Sequence, residues 1–386
     1  MARLGEAFPL IRNGASIKQT DGAGGYPITR IETIANREVD RSKFGYADIN
    51  DLGKYEDYLL HDGDILMSHI NSEKHLGKVA LYRSSGDEHI LHGMNLLLLR
   101  ADTQVVLPSY AAYFFNSDAF LRQIPNITKK SVNQASFTVT ALKELNIPLP
   151  SLDAQVESVK KLDMLSNLIS LRKQQLAKLD ELVKARFVEL FGATSADKCS
   201  KQIKDYAEVL GGYAFKSDMF CTNAVPVIRI SNINNGCVDP DYDVCYDELF
   251  WEQNKRFRAE QNDILMAMSG ATTGKAGLYK EDMPALINQR VACIRAKDGI
   301  ACPMFLFVAT QLEWMYDLIQ ETSAGCAQPN ISGKQIENMP VPDATYEQQQ
   351  QFAAFVEQTD KSKLAIQQSL DKLETLKRSL MQKYFG

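Results

Sequence analysis

The sequence predicts an α+β fold: two duplicated mixed α/β units joined by two long helices that form an antiparallel coiled coil, with an internal pseudo-twofold. Three observations predict it. The two halves match in order at an offset that drifts only from 199 to 192. Each half closes on a Pro-x-Pro exit followed by a long apolar seam of alternating three- and four-residue steps. Each seam ends in Phe-Gly, at Phe191-Gly192 and Phe385-Gly386. The resulting order of unit, helix, unit, helix sets boundaries at residues 1–150, 151–192, 193–343 and 344–386.

The first unit opens with Tyr26-Pro27-Ile28-Thr29-Arg30-Ile31, which corresponds to Val225-Pro226-Val227-Ile228-Arg229-Ile230 in the second. Short apolar runs bounded by turn residues, such as Ile65-Leu66-Met67 and Leu96-Leu97-Leu98-Leu99, read as buried strands. The first of these follows Asp62-Gly63-Asp64, and its counterpart is Asn262-Asp263-Ile264-Leu265-Met266. Arg100 and Arg295 close matching strands, and Pro108 and Pro303 open matching aromatic helices. The exits Asn146-Ile147-Pro148-Leu149-Pro150 and Asn338-Met339-Pro340-Val341-Pro342 are boundaries, because proline removes a donor and holds its predecessor extended. Ser332-Gly333-Lys334-Gln335 has capping-box spacing and predicts a short helix before the second exit. Each unit is therefore mixed rather than a doubly wound βαβ array.

The first seam runs through Leu162, Leu165, Ile169, Leu176, Leu179, Val183 and Leu190, broken by Arg172 and Arg186. Without an internal Pro or Gly it predicts a helix of about 38 residues, roughly 55 Å long. A helix of that kind needs a partner for its seam. Phe352, Phe355, Ile366, Leu373, Leu376 and Leu380 supply one at the far end of the chain. Antiparallel pairing would hold two similar recognition surfaces at a fixed separation, and DNA is the natural partner for such a spacing.

Composition sets limits on this reading. The chain has 386 residues, more than one core usually holds. Its N-terminus lacks the apolar run of a secretory signal, and no run is long enough to cross a bilayer, so a cytoplasmic, non-membrane protein is expected. All seven cysteines (199, 221, 237, 245, 293, 302 and 326) lie in the second half without CxxC spacing, which predicts free thiols. The net charge of -5 gives no global attraction to nucleic acid, so DNA binding must rest on local features.

In this order, and occurring twice, the motifs resemble the specificity subunits of type I restriction-modification systems over essentially the whole chain. The duplicated opening, the Asp-Ile-Leu-Met strands at 64–67 and 263–266, Ser269-Gly270-Ala271-Thr272-Thr273-Gly274-Lys275, Gln328-Pro329-Asn330-Ile331-Ser332, the proline exits and the Phe-Gly helix ends carry the resemblance. It implies two target-recognition domains, each reading one half of a split double-stranded DNA sequence, and two spacer helices setting the gap. It also implies a non-enzymatic chain on which two modification subunits dock and restriction subunits join. S-adenosylmethionine, ATP and magnesium are then expected on those partners, with no cofactor on this chain. The first unit departs from the pattern: residues 68–78 replace the shorter 270–275 loop, and Gln134-Ala135-Ser136 replaces a Gln-x-Asn turn. That departure fits two units reading different sequences.

Candidate DNA contacts follow from residue chemistry. In the first unit they are Arg30, the polar loop with His69, Asn71 and Lys74, and Lys129, Lys130, Ser131, Asn133 and Gln134. Lysines position phosphates, while Asn and Gln amides match an adenine edge. In the second unit they are Arg229, Asn232, Ser269, Thr272, Thr273, Lys275, Gln289, Arg290, Gln328 and Asn330. The 270–275 loop has three residues between its glycines and Ala276 after the lysine, so it is no Walker A loop; its small residues and hydroxyls suit a DNA phosphate. The histidines at 61, 69, 75, 89 and 92 have no zinc spacing, and the acidic run 239–243 lacks the glycine and terminal glutamate of a calcium loop, so no metal site is expected. No methyltransferase motif, helicase motif or nuclease carboxylate cluster is present, which argues against catalytic residues. Residues 193–343 carry 14 Lys plus Arg against 20 Asp plus Glu, so this half alone should hold DNA weakly, with docked subunits supplying phosphate contacts. The competing readings are a duplicated coiled-coil adaptor that binds proteins and, further off, a DNA methyltransferase.

Overall fold

The computed structural model describes residues 1–386 apart from 23, 132–133, 235 and 324–328. It divides into two compact units, Met1–Arg172 with Ser369–Gly386, and Lys173–Gln368.

In the first unit the central sheet is antiparallel, in the order Leu10–Asn13, Leu96–Arg100, Ile65–Ser68, Val79–Leu81. The strand Ile65–Ser68 is buried at every position because both faces of the sheet are covered. Period-two alternation sends Ile65, Met67, Leu97 and Leu99 into one core with Tyr110, Phe114 and Phe115, and Leu66, Leu96 and Leu98 into another with Tyr82.

The second unit repeats this. Ala207–Gly211, Val291–Ala296, Ile264–Ala267 and Ala276–Leu278 pair in the same order, and Cys237–Val238 and Ile233–Asn234 extend the sheet. Ile264, Met266, Ala292 and Ile294 face one core, while Leu265, Ala267, Val291 and Cys293 face the other. The aromatic helices are Pro108–Phe115 and Pro303–Thr310, and the capping box starts Gly333–Glu337. A second sheet in this unit, Cys245–Tyr246, Val225–Ile228, Ala285–Ile287 and Arg258–Ala259, packs under a cluster of aromatic rings.

The duplication extends to buried polar groups. Asp64, almost fully buried, takes two hydrogen bonds from Arg100 at 2.8 and 2.7 Å, and Asp263 takes two from Arg295 at 2.9 and 2.6 Å. Such forked pairs are the geometry in which a buried carboxylate is tolerated. The hydrogen bonds to Asp64 and Asp263 raise both guanidinium pKa values.

The long helices are Leu152–Phe191 and Tyr346–Phe385. In the first unit the start of one meets the end of the other: Leu162 and Phe385 share a core, and the Phe385 ring lies 5.1 Å from that of Tyr110. In the second unit the end of one meets the start of the other, with Phe187 and Phe191 at 5.3 and 5.7 Å from Phe352. Within each unit the helices are therefore antiparallel. Leu162, Leu165, Val183 and Phe352 are buried, and Ile169, Leu176, Leu179, Phe355, Ile366, Leu373 and Leu380 are half-buried. Leu190 and Leu376 depart from the expected seam, at 40% and 49% exposure. The buried stripe advances by four from Val183 to Phe187 to Phe191, following the helical period instead of the heptad, and leaves Leu190 outside. Likewise Leu373 is followed on the buried face by Lys377, whose ammonium sits 5.9 Å from the Tyr113 ring centroid, so Leu376 turns outward. Of the two seam arginines, Arg186 pairs with Glu189 on its own helix at 2.7 Å.

A fully buried glutamine anchors each helix to its unit. Gln155 accepts from the Leu107 amide at 2.9 Å and donates to the Val105 and Pro150 carbonyls at 3.0 Å each. Gln349 accepts from the Cys302 amide at 2.8 Å and donates to the Ile300 and Ala344 carbonyls at 3.3 and 3.0 Å.

Candidate nucleic-acid interface

The end of the central sheet at which Ser68 and Ala267 stop carries most of the predicted residues. In the first unit, Ile70–Asn71, Ala135–Ser136 and Lys129–Lys130 form one small antiparallel sheet. Two loops about sixty residues apart in sequence are thereby joined. Lys74, Lys129, Lys130, Ser131 and Gln134 are exposed on it and Asn71 is half-buried. Ser131 closes the hairpin, donating from its amide and its hydroxyl to the Gln134 carbonyl at 2.8 Å each. Lys130 pairs with Glu73 at 2.8 Å, an exposed contact that a phosphate can replace at little cost.

The second unit brings the corresponding loops together with fewer residues. Ser269 and Asn330 form an antiparallel bridge, the Gly270 amide donates to Pro329, and the Ile331 amide donates to Met268. The last bond has its counterpart in the first unit, where the Phe137 amide donates to His69. Lys275, Gln289, Arg290 and Asn330 are exposed, and Ser269 and Thr272 are half-buried. The Met268 amide donates to the Arg290 carbonyl at 2.8 Å, which joins the Gln289-Arg290 turn to the same face. The hydroxyl oxygens of Ser269 and Thr272 are buried and have no protein partner, so both have unused hydrogen-bonding capacity at this loop.

Five of the predicted contacts are placed otherwise. His69 is buried against Phe137, and burial lowers its pKa, keeping it neutral near neutral pH. The Asn232 side chain is buried and saturated, accepting from the Arg229 amide and donating to the Asp239 carbonyl at 2.9 Å each. Thr273 is buried and donates to Gly270. The Arg30 guanidinium is committed to Gln19, Asp21 and the Thr20 carbonyl, and Arg229 to Asp241. A short polar side chain that completes a turn has the same sequence appearance as one that faces a ligand. Asn133 and Gln328 lie outside the described residues.

Sequence reasoning passed over Met94 and Asn95. Val291 and Leu96 occupy equivalent pairings, with Ala267 and Ser68, so exposed Met94 and Asn95 stand where Gln289 and Arg290 stand in the second unit. The signal was present in the repeat itself, as the two residues before each apolar strand. Among the described residues no group of three or more His, Cys, Asp or Glu is placed to hold a metal, and no helix is long and apolar enough to cross a membrane.

A twice-built scaffold with loops converging at one end of each sheet defines a duplicated recognition protein. A family model described as the type I restriction modification DNA specificity domain matches residues 1–181 and again 197–378, and the chain belongs to that family. It is 44% identical over 191 residues to a putative type I restriction enzyme MjaX specificity subunit of Methanocaldococcus jannaschii, covering 49% of this chain and 44% of that protein. It is 24% identical over 310 residues to the type I restriction enzyme EcoBI specificity subunit of Escherichia coli, covering 70% of this chain and 65% of that protein. The matches thus span less than two thirds of these relatives. The fold is shared with the S subunit of a type I restriction-modification system from M. genitalium, at a TM-score of 0.57 and 15% identity over 100% of this chain and 95% of that one.

Proposed function

We propose that the chain is a non-catalytic DNA sequence-specificity subunit of a type I restriction-modification complex. It binds a bipartite target, each unit reading one half, and carries two modification subunits and the restriction subunits that join them. In this reading S-adenosylmethionine, ATP and magnesium belong to those partners. The observation that carries it is the repeated convergence of amide-, hydroxyl- and cation-bearing loops at the same end of two equivalent sheets. Phosphate contacts orient such a surface, and amides at its centre discriminate bases. The acid excess of residues 193–343 leaves part of the phosphate neutralisation to the docked subunits.

Partner docking has support on the first long helix. Val156, Met164, Leu168 and Leu171 are 39 to 59% exposed on a stripe separate from the seam, an apolar surface of the kind that marks protein contact.

The test exchanges residues 1–150 for the same unit of a family member with another specificity, in the complex with modification subunits. One half of the methylated sequence should change and the other should not. An adaptor that binds only proteins would leave the methylated sequence as it was. Methyl transfer by the purified chain alone would make it an enzyme and reject the proposal.

A further inference from the structure

The two units share a backbone device next to the candidate interface and differ in the side chain it presents. Gly14 and Gly212 lie so close to a neighbouring chain segment that an added Cβ would sit 2.2 Å from the Gly93 carbonyl oxygen and 2.1 Å from that of Asn288. Only glycine fits either place. The next residue in each case forms a parallel bridge, Ala15 with Gly93 and Tyr213 with Asn288. At this matched position Ala15 is buried, while Tyr213 is 38% exposed.

Tyr213 is not a loose surface ring. Its centroid is 5.1 Å from Phe215, 4.9 Å from Phe250 and 5.2 Å from Phe257, so its orientation is fixed by three neighbours. Its carbonyl accepts from the Gln289 amide at 2.8 Å, and the adjacent Arg290 is bonded through its carbonyl to Met268. The Tyr213 backbone is therefore joined through the Gln289-Arg290 turn to the segment that carries Ser269 and Asn330. Arg256 is exposed with its guanidinium 5.7 Å from the Phe257 centroid, and exposed Arg290 follows Gln289, whose amide bonds the Tyr213 carbonyl; neither arginine forms an ion pair among the described residues. A held, part-exposed ring with exposed arginines on the neighbouring segments is a combination that can bind nucleic acid by stacking and charge together.

We propose that Tyr213 is a DNA-contacting, specificity-determining residue of the second unit, its ring packing on a base of the half-site that unit reads. This rests on the specificity-subunit reading. The Ala15/Tyr213 pair is then one point at which a common scaffold is made to read two different sequences.

The complex with modification subunits, assayed on duplexes randomised in each half-site, tests it. Tyr213→Ala should lower methylation of the preferred second half-site roughly ten- to a hundredfold and relax preference at one or two positions there. Base preference within the first half-site should be unaffected, and Tyr213→Phe should keep the wild-type preference. In the unaltered complex, 5-iodouracil placed through the second half-site should photocrosslink to Tyr213, a readout independent of any folding defect. Unchanged preference in Tyr213→Ala, or preference relaxed equally in both half-sites with a lowered Tm, overturns the inference. So does crosslinking that reaches only other elements. Exchange of residues 193–343 separates the two levels: if it changes the second half-site while Tyr213→Ala does not, the inference fails alone. If the exchange changes nothing, the specificity reading fails with it.

Discussion

Lys129 and Lys130 differ from the neighbouring Gln134 in what they can contribute, although all three lie on one hairpin. An ammonium on a flexible stem attracts phosphates regardless of sequence, whereas an amide discriminates by its donor and acceptor pattern. Reversing both lysines to Glu should weaken binding to all duplexes and flatten its salt dependence, as read by fluorescence anisotropy at several salt concentrations. Gln134→Ala should instead relax preference at one position of the first half-site, with a cost of about 1–3 kcal/mol. Unchanged binding after the lysine reversal together with unchanged sequence preference after Gln134→Ala would remove the hairpin from the interface. A second residue-level expectation concerns His92, fully buried, with Nε2 2.9 Å from the Leu96 carbonyl and Nδ1 without a partner. Burial pushes its pKa down to about 3, against an ordinary value of 6.5. Because the folded form resists protonation, the contribution is fully present above pH 6.5 and is lost as pH falls toward 3. By pH 5 the loss is on the order of 2 kcal/mol. Urea midpoints at pH 7 and 5 check it, and His92→Gln should show a smaller drop between the two pH values than the unaltered chain.

At the scale of elements, Gln155 and Gln349 fix where each long helix leaves its unit. Each bonds one amide and two carbonyls where helix and unit join. Gln155→Ala should destabilise the first unit by roughly 2–4 kcal/mol, since three hydrogen bonds made by one fully buried side chain are lost together. Gln349→Ala should do the same to the second, with Gln155→Leu no better than Ala because shape does not replace the bonds. Urea unfolding measures this, and a change below about 0.5 kcal/mol would mean water takes over the bonds. These glutamines also mark the limit of what was legible. The strands, the proline-started helices and the seam are set by local periodicity, and they appear in the sequence directly. The joining of residues 69–75 to the 129–136 hairpin depends on pairing between distant segments, which no local pattern encodes. Gln155, His69 and Asn232 were misjudged or missed for one reason: a polar side chain that bonds buried backbone has the composition of a surface residue. Only the duplication offered a way around this, because Gln155 and Gln349 recur at the same place in both halves.

For the whole molecule, the two long helices matter through their register. Each unit takes part of both helices, with the division at Arg172/Lys173 in one and at Gln368/Ser369 in the other. Seven residues inserted at both points preserve the faces presented on either side, because a heptad is close to two full turns. The insertion adds about 10.5 Å of helix, at ~1.5 Å per residue. That corresponds to about three base pairs at ~3.4 Å each. Methylation mapping should then find the same two half-sites separated by a gap about three base pairs longer. Five inserted residues rotate one side by roughly 140° relative to the other, and should break the pairing of the seams, so that methylation is lost rather than re-spaced. An insertion in one helix alone puts the two seams out of step and should behave like the five-residue change. Were the heptad variant to keep the original gap, the helices would serve to hold partner subunits only, and spacing would have to be set by those subunits.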